Sequence, residues 1–319
     1  MTSPTAPSVQ APRIKSKQRR GDRVFSGSAL TAGSLILATL AAVAAFLVME
    51  SIPAVTTDPG EISILAGQNF WVYVAPLVFG TLWSSALALV MAVPVSIGIA
   101  LFISHYAPRR LAQGLGYIID LLAAVPSVVF GLWGANVLAP AVQPFYTSLT
   151  DVFGWFPPFA GPVSGTGRTI LTASVVLAVM ILPIITALCR EVFLQTPVLH
   201  EEAALALGST RWEMIRMAVL PFGRAGIVSA SMLGLGRALG ETMAVAMVLS
   251  ASGGISFALL TSANPGTIAA NIALSFPEAY GTNVSVLIAT GLLLFAITLV
   301  VNSIARWIVS RRKEFSGAN

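Results

Sequence analysis

The chain has 319 residues, 56% of them apolar and only 10% charged, with a formal net charge of +5 and a mean hydropathy of +0.84. Soluble domains carry about 25% charged residues, so a water-facing surface cannot be built from this composition. One cysteine, Cys189, excludes an intrachain disulfide and is expected to be a buried, inert thiol.

A hydrocarbon core about 30 Å thick takes about 20 apolar residues in helical form. Six runs reach that length. The first, Ser28–Met49, follows a basic tail over residues 1–27. Small residues such as Ala42 and Ala44 resemble a cleavage site, but the run exceeds the roughly 7–15 residues of a signal sequence. An uncleaved anchor helix is expected. The second run, Val74–Ser104, is long for one crossing and should tilt or project beyond the lipid. Tyr117–Ala139 and Thr169–Val192 follow. Pro94, Pro126 and Pro183 are expected to kink runs two to four against their neighbours.

Between the third and fourth runs, residues 140–168 carry Phe153, Trp155, Phe156, Pro157, Pro158 and Phe159. Such aromatics suit either the lipid headgroup level or a docking face. Gly226–Ser250 and Val284–Val309 complete the six, leaving 310–319 as a tail. The stretch 253–282, rich in Gly, Asn and Pro, is expected to be a folded loop with short helical pieces.

Lys and Arg set orientation. The first tail holds Arg13, Lys15, Lys17, Arg19, Arg20 and Arg23. Arg109 and Arg110 follow run two; Arg190, Arg211, Arg216 and Arg224 follow run four; Arg306, Arg311, Arg312 and Lys313 end the chain. These are 16 of the 18 basic residues, all on one side. That side is expected to be cytoplasmic, with both termini on it. The basic tail is thus explained by topology and lipid headgroups, and no nucleic-acid partner is expected.

The loop from Glu201 to Pro221 carries the strongest local pattern. Glu201 and Glu202 open a short helix, where the helix dipole favours acidic groups. Gly208 suits a left-handed position just past its end. A second helix, 210–219, is expected to stop before Pro221. The result is a helix–turn–helix knob, or else an amphipathic loop lying on the membrane. Its residues Glu202, Ala203, Ala204 and Gly208, closed by Leu220 and Pro221, resemble the EAA loop of bacterial ABC importer permeases. The resemblance implies a coupling helix that docks on a cytoplasmic ATPase.

Two further segments extend it. Residues 120–131, Asp-Leu-Leu-Ala-Ala-Val-Pro-Ser-Val-Val-Phe-Gly, and 237–245, Arg-Ala-Leu-Gly-Glu-Thr-Met-Ala-Val, are similar to stretches of phosphate permeases of the PstC type. Asp120 departs from the more usual glutamate but keeps the charge. The similarity covers about 74–309, here the expected permease domain, with the coupling loop at 196–222. It implies an all-α, MetI-like permease core of six transmembrane helices in a bacterial inner membrane. It also implies a second permease subunit (PstA type), two ATP-binding subunits (PstB type) that use ATP and Mg²⁺, and an extracellular or periplasmic phosphate-binding protein (PstS type).

Arg237 and Glu241 stand four apart in run five, on one face of a continuous helix. Each costs roughly 2.5–3.5 kcal/mol at a membrane centre, so each needs a partner or a water-filled path. An ion pair meets that need locally. Alternatively Arg237 and Glu241 lie on a translocation path, where the arginine fork can hydrogen-bond a phosphate in bidentate fashion and Glu241 restrains it at rest and limits how tightly phosphate is held. Gly234, Gly236 and Gly240 should admit a neighbouring helix. Asp120 is expected at the start of span three.

The chain lacks a Gly-x-x-x-x-Gly-Lys-Ser/Thr loop, and His105 and His200 stand alone with no metal-ligand spacing. A non-enzyme subunit with no cofactor of its own is expected. Import of another oxyanion, sulfate or molybdate, and a membrane role in phosphate signalling remain the alternatives.

Overall fold

The computed structural model describes residues 20–310, with side chains from 21 to 307. Arg13, Lys15, Lys17, Arg19, Arg311, Arg312 and Lys313 lie outside the described residues. The chain divides into two units between Met49 and Glu50. The first consists of most of helix α1 (Arg20–Ser51). Its side chains are exposed along nearly its whole length, and they are apolar enough to cross a membrane.

Within the second unit, α2 (Pro53–Thr56) leads to α3 (Phe70–Leu101). Asn69 starts α3 by accepting from the Trp71 amide at 3.3 Å. A π-helical turn, Phe102–Tyr106, prolongs it. The 37 residues of this span make roughly 55 Å of helix at 1.5 Å per residue, more than the lipid needs. The expected excess length is therefore present. Pro76 and Pro94 both lie within the helix.

The third span differs from the sequence expectation. Residues 109–123 form a separate helix, α4 (Arg109–Ala123). The span is α5 (Ser127–Trp133), a π turn and α6 (Ala139–Phe153) run end to end. Pro126 does not kink a helix; it caps the start of α5. Its ring disfavours helical geometry at Val125, so the break falls there. Asp120 accordingly belongs to α4 and not to the start of span three.

At the centre stands α7 (Ile170–Leu194), packed by α3, α4, α5, α10 and α11. Leu177, Ile181, Ile185 and Phe193 are fully buried. The loop after α7 forms α8 (Val198–Ala206) and α9 (Arg211–Met214). A π turn, Ile215–Val219, joins α9 to α10 (Leu220–Leu239). Pro221 thus does not end a helix. It sits in the first turn of α10, where its missing N–H costs least.

The fifth run breaks at Gly240. Beyond it lie α11 (Met243–Val248), a loop, α12 (Ile268–Ser275) and the last span, α13 (Thr282–Ser310). The expected folded loop with short helical pieces is found here. Asn264 pins it: its Oδ1 accepts from the Ile170 amide at 3.0 Å, and its Nδ2 donates to Ser250 O and Arg168 O. Thr81 Oγ1 accepts from the Ile268 amide at 3.0 Å. Among the described residues helices are joined by loops, and the only β pairing is one isolated bridge, Ala251 with Asn264.

Candidate translocation site and coupling loop

Helix α10 approaches α7 through Gly234, where a Cβ would overlap Ile185. Small residues at such a crossing allow the backbones to touch, which is how helices gain packing energy where lipid gives no hydrophobic drive. Gly236 has open space instead, and faces a cavity.

That cavity has a volume of about 970 Å³. Helix α10 supplies Ser229, Met232, Gly236 and Arg237; α13 supplies Asn302 and Arg306; Ile184 comes from α7. Arg237 is half-buried and, among the described residues, makes no hydrogen bond or ion pair. No carboxylate lines the cavity.

Glu241 is elsewhere. It is 8% exposed, and its Oε1 accepts from the Ala244 amide at 3.0 Å. The carboxylate therefore caps the start of α11, satisfying a backbone donor that has no helical partner. The ion pair with Arg237, one of the two readings the spacing allows, does not form, and Glu241 does not line the cavity as a pathway residue would: the helix ends at Leu239, so the four-residue spacing no longer puts the two on one face. The sequence did hold a signal for this: Gly240, then an acidic side chain three residues before the amide it caps. Helix α11 packs one face into the core, with Ala244 against Gly131 and Val248 against Gly134, while Met243 is exposed and Ala246 borders a second cavity. A pair of unbranched glycines lets it sit that deep.

The coupling loop is built locally. Gly208 has φ +85°, the left-handed conformation expected of it. Its amide bonds Leu205 O at 3.0 Å, and the Ser209 amide bonds Ala204 O at 3.4 Å. Together these two bonds form the Schellman closure of a helix end. Thr210 and Glu213 then form a capping box for α9. The Thr-x-x-Glu spacing is the signal in the sequence for this box. Glu202 and Ala203 are exposed, Ala204 less so, and α8 buries none of its residues. Leu199, Leu207 and Trp212 present large apolar surface, Leu207 being 90% exposed.

One side chain ties this knob to the spans. His105, at the end of the α3 extension, has Nε2 3.3 Å from Glu201 Oε1 and Nδ1 2.7 Å from Ser104 Oγ. His105 is thus not isolated in space. Chain separation hid the contact.

Residues 92–314 match the model of a family described as "binding-protein-dependent transport system inner membrane component". The chain belongs to that family. Among its relatives, the phosphate transport system permease protein PstC 2 of Mycobacterium tuberculosis is 45% identical, over 90% of this chain and 91% of its own length. The PstC of Mesorhizobium japonicum is 39% identical, over 98% of each chain. The fold agrees with solved transporters of low sequence identity. A bacterial alginate ABC transporter chain shares 16% identity with a TM-score of 0.63, over 94% of this chain and 97% of that one. An inward-facing MetNI methionine ABC transporter chain shares 18% with a TM-score of 0.54, over 76% and 96%. The protein is thus a multi-pass membrane protein of six candidate spans with a MetI-like permease fold.

Proposed function

We propose that this chain is a permease subunit of an ATP-driven importer of inorganic phosphate. The observation that carries the proposal is Arg237, an unpaired guanidinium half-buried in a cavity without carboxylates, in a chain 45% identical to phosphate permeases of the PstC type.

A desolvated charge of this kind persists only where water or a ligand can reach it. The guanidinium fork matches two phosphate oxygens with two parallel hydrogen bonds, so it favours an oxyanion in a defined orientation. Glu241 caps α11 and does not line the cavity, so an entering anion meets no carboxylate there. Contact through one half-exposed arginine is weak enough to release cargo.

In this reading the α8–α9 knob, with Glu202, Ala203, Ala204 and Gly208, docks on a separate cytoplasmic ATPase that binds ATP and Mg²⁺. Exposed Leu199, Leu207 and Trp212 supply the apolar surface for that docking. The basic residues Arg109, Arg110, Arg190, Arg211, Arg216 and Arg224, in the segments that flank this loop and the end of span two, support reading it as the cytoplasmic face, with both termini on that side. A second permease subunit, a pair of ATPases and an extracellular or periplasmic binding protein complete the complex in the inner membrane.

The test is uptake of labelled phosphate by the reconstituted complex with sulfate or molybdate in competition. Excess unlabelled phosphate is expected to suppress uptake, and sulfate and molybdate to leave it unchanged. Equal competition by either anion would reassign the cargo.

A further inference from the structure

Arg306 lies by sequence among the basic residues that close the chain, where topology alone accounts for it. The structure puts it in the same cavity as Arg237. Helices α10 and α13 pack against each other and, as consecutive spans, run in opposite directions. Arg237 is 17 residues beyond Leu220, roughly 25 Å along α10 from the coupling-loop end. Arg306 is four residues before the described end of α13, on the coupling-loop side. Asn302 stands one turn from Arg306 on the same face, and also lines the cavity.

Neither guanidinium makes a hydrogen bond or ion pair with any described residue. No carboxylate borders the space between them. Arg237 is half-buried, whereas Arg306 and Asn302 are exposed near the end of α13, so the two like charges share a water-accessible space in which their repulsion is weakened but not removed. A species of opposite charge, with several acceptor oxygens, relieves both at once. The phosphate group fits that description, whether free or on a lipid head.

We propose that Arg306 is a second anion-contacting residue, which takes the free phosphate anion after Arg237 and releases it toward the coupling-loop face, with the Asn302 amide as an additional donor. The proposal rests on the reading of this cavity as the translocation path. Two contacts at different depths let the anion pass from one to the other, so that neither needs to bind tightly.

The experiment is labelled phosphate uptake by the whole complex in proteoliposomes, per assembled complex, for Arg306→Ala, Arg306→Gln, Arg306→Lys and Arg237→Ala. Each is measured in phosphatidylcholine alone and with added anionic lipid. The two neutral variants at Arg306 are expected to lower the maximal rate about tenfold, the scale of one lost charge-assisted contact. The half-saturating phosphate concentration should stay the same, since the external binding protein sets it. Arg306→Lys should recover part of the rate, and the loss should be the same in both lipids.

A normal rate per complex in Arg306→Ala, with uptake lost in Arg237→Ala, would overturn the inference and leave the path intact. Normal rates in both would overturn the path itself. A loss seen only with anionic lipid would assign Arg306 to headgroups. Failure of both neutral variants to assemble would make the residue structural, and would overturn the inference equally.

Discussion

Helices α10 and α11 are cut from one hydrophobic run, yet they meet opposite surroundings. Helix α10 turns a face with Ser229, Gly236 and Arg237 toward a cavity. Helix α11 packs against α5, α7 and α12, with Ala244, Val245 and Val248 buried. The three residues between them, Gly240, Glu241 and Thr242, decide which charge goes where. Ending α10 releases the Glu241 carboxylate from any helical register with Arg237, and the unpaired amide of α11 claims it. The lesson is that spacing along a sequence assigns partners only while the helix continues.

The largest effect is expected where the two charges are exchanged. Arg237→Glu combined with Glu241→Arg should abolish phosphate uptake, a loss of about a hundredfold or more, since the acid would face the cavity and the arginine would be buried. Recovery of uptake in the exchanged variant would show that the two do act as a pair. Uptake in each single variant completes that cycle.

Glu202→Lys comes next. If the α8–α9 knob docks on an ATPase as proposed, reversing this exposed charge should cut phosphate uptake about tenfold while ATP hydrolysis continues, the scale of one like-charge clash at an interface. Uptake and hydrolysis that remain in normal proportion would remove Glu202 from coupling.

A smaller change belongs to the His105–Glu201 contact, 3.3 Å long and partly exposed. Contacts of this type contribute about 0.2–1 kcal/mol. Glu201→Gln should therefore lower phosphate transported per ATP by only about twofold to fivefold. No change in that ratio would make the contact incidental.

The smallest concerns stability. Glu241→Ala removes the acceptor for the Ala244 amide and should destabilise the assembled complex by about 1 kcal/mol, the usual worth of a helix cap. Glu241→Gln keeps an oxygen there and should melt closer to wild type. Identical melting of the two variants would mean that the cap contributes nothing.

Much of this architecture was legible in the sequence because its causes are local. The α8–α9 knob depends on residues within a few positions of each other: acidic residues at the start, Gly208 at φ +85° and Thr210 with Glu213. The number of spans follows from length and composition, but not every position does: the third, expected at 117–139, lies at 127–153, and the fifth, expected at 226–250, lies at 211–239. What escaped depends on competition between neighbours. Pro126 fits a kink by sequence but stands at the N-cap position of α5, because α4 has a separate surface to pack on, against α7. Gly240 was read as part of a helix because nothing nearby in sequence reveals that α11 fits between Gly131, Gly134 and Val176. The cavity needs α10 and α13 together, so Arg306 had no visible link to Arg237.

The central claim is that Arg237 serves the cavity and its cargo, and is not half of a structural pair. Uptake of labelled phosphate per assembled complex by Arg237→Ala tests it most directly. The account predicts an inserted and assembled complex with uptake lost; an assembled complex that takes up phosphate at the normal rate would contradict it.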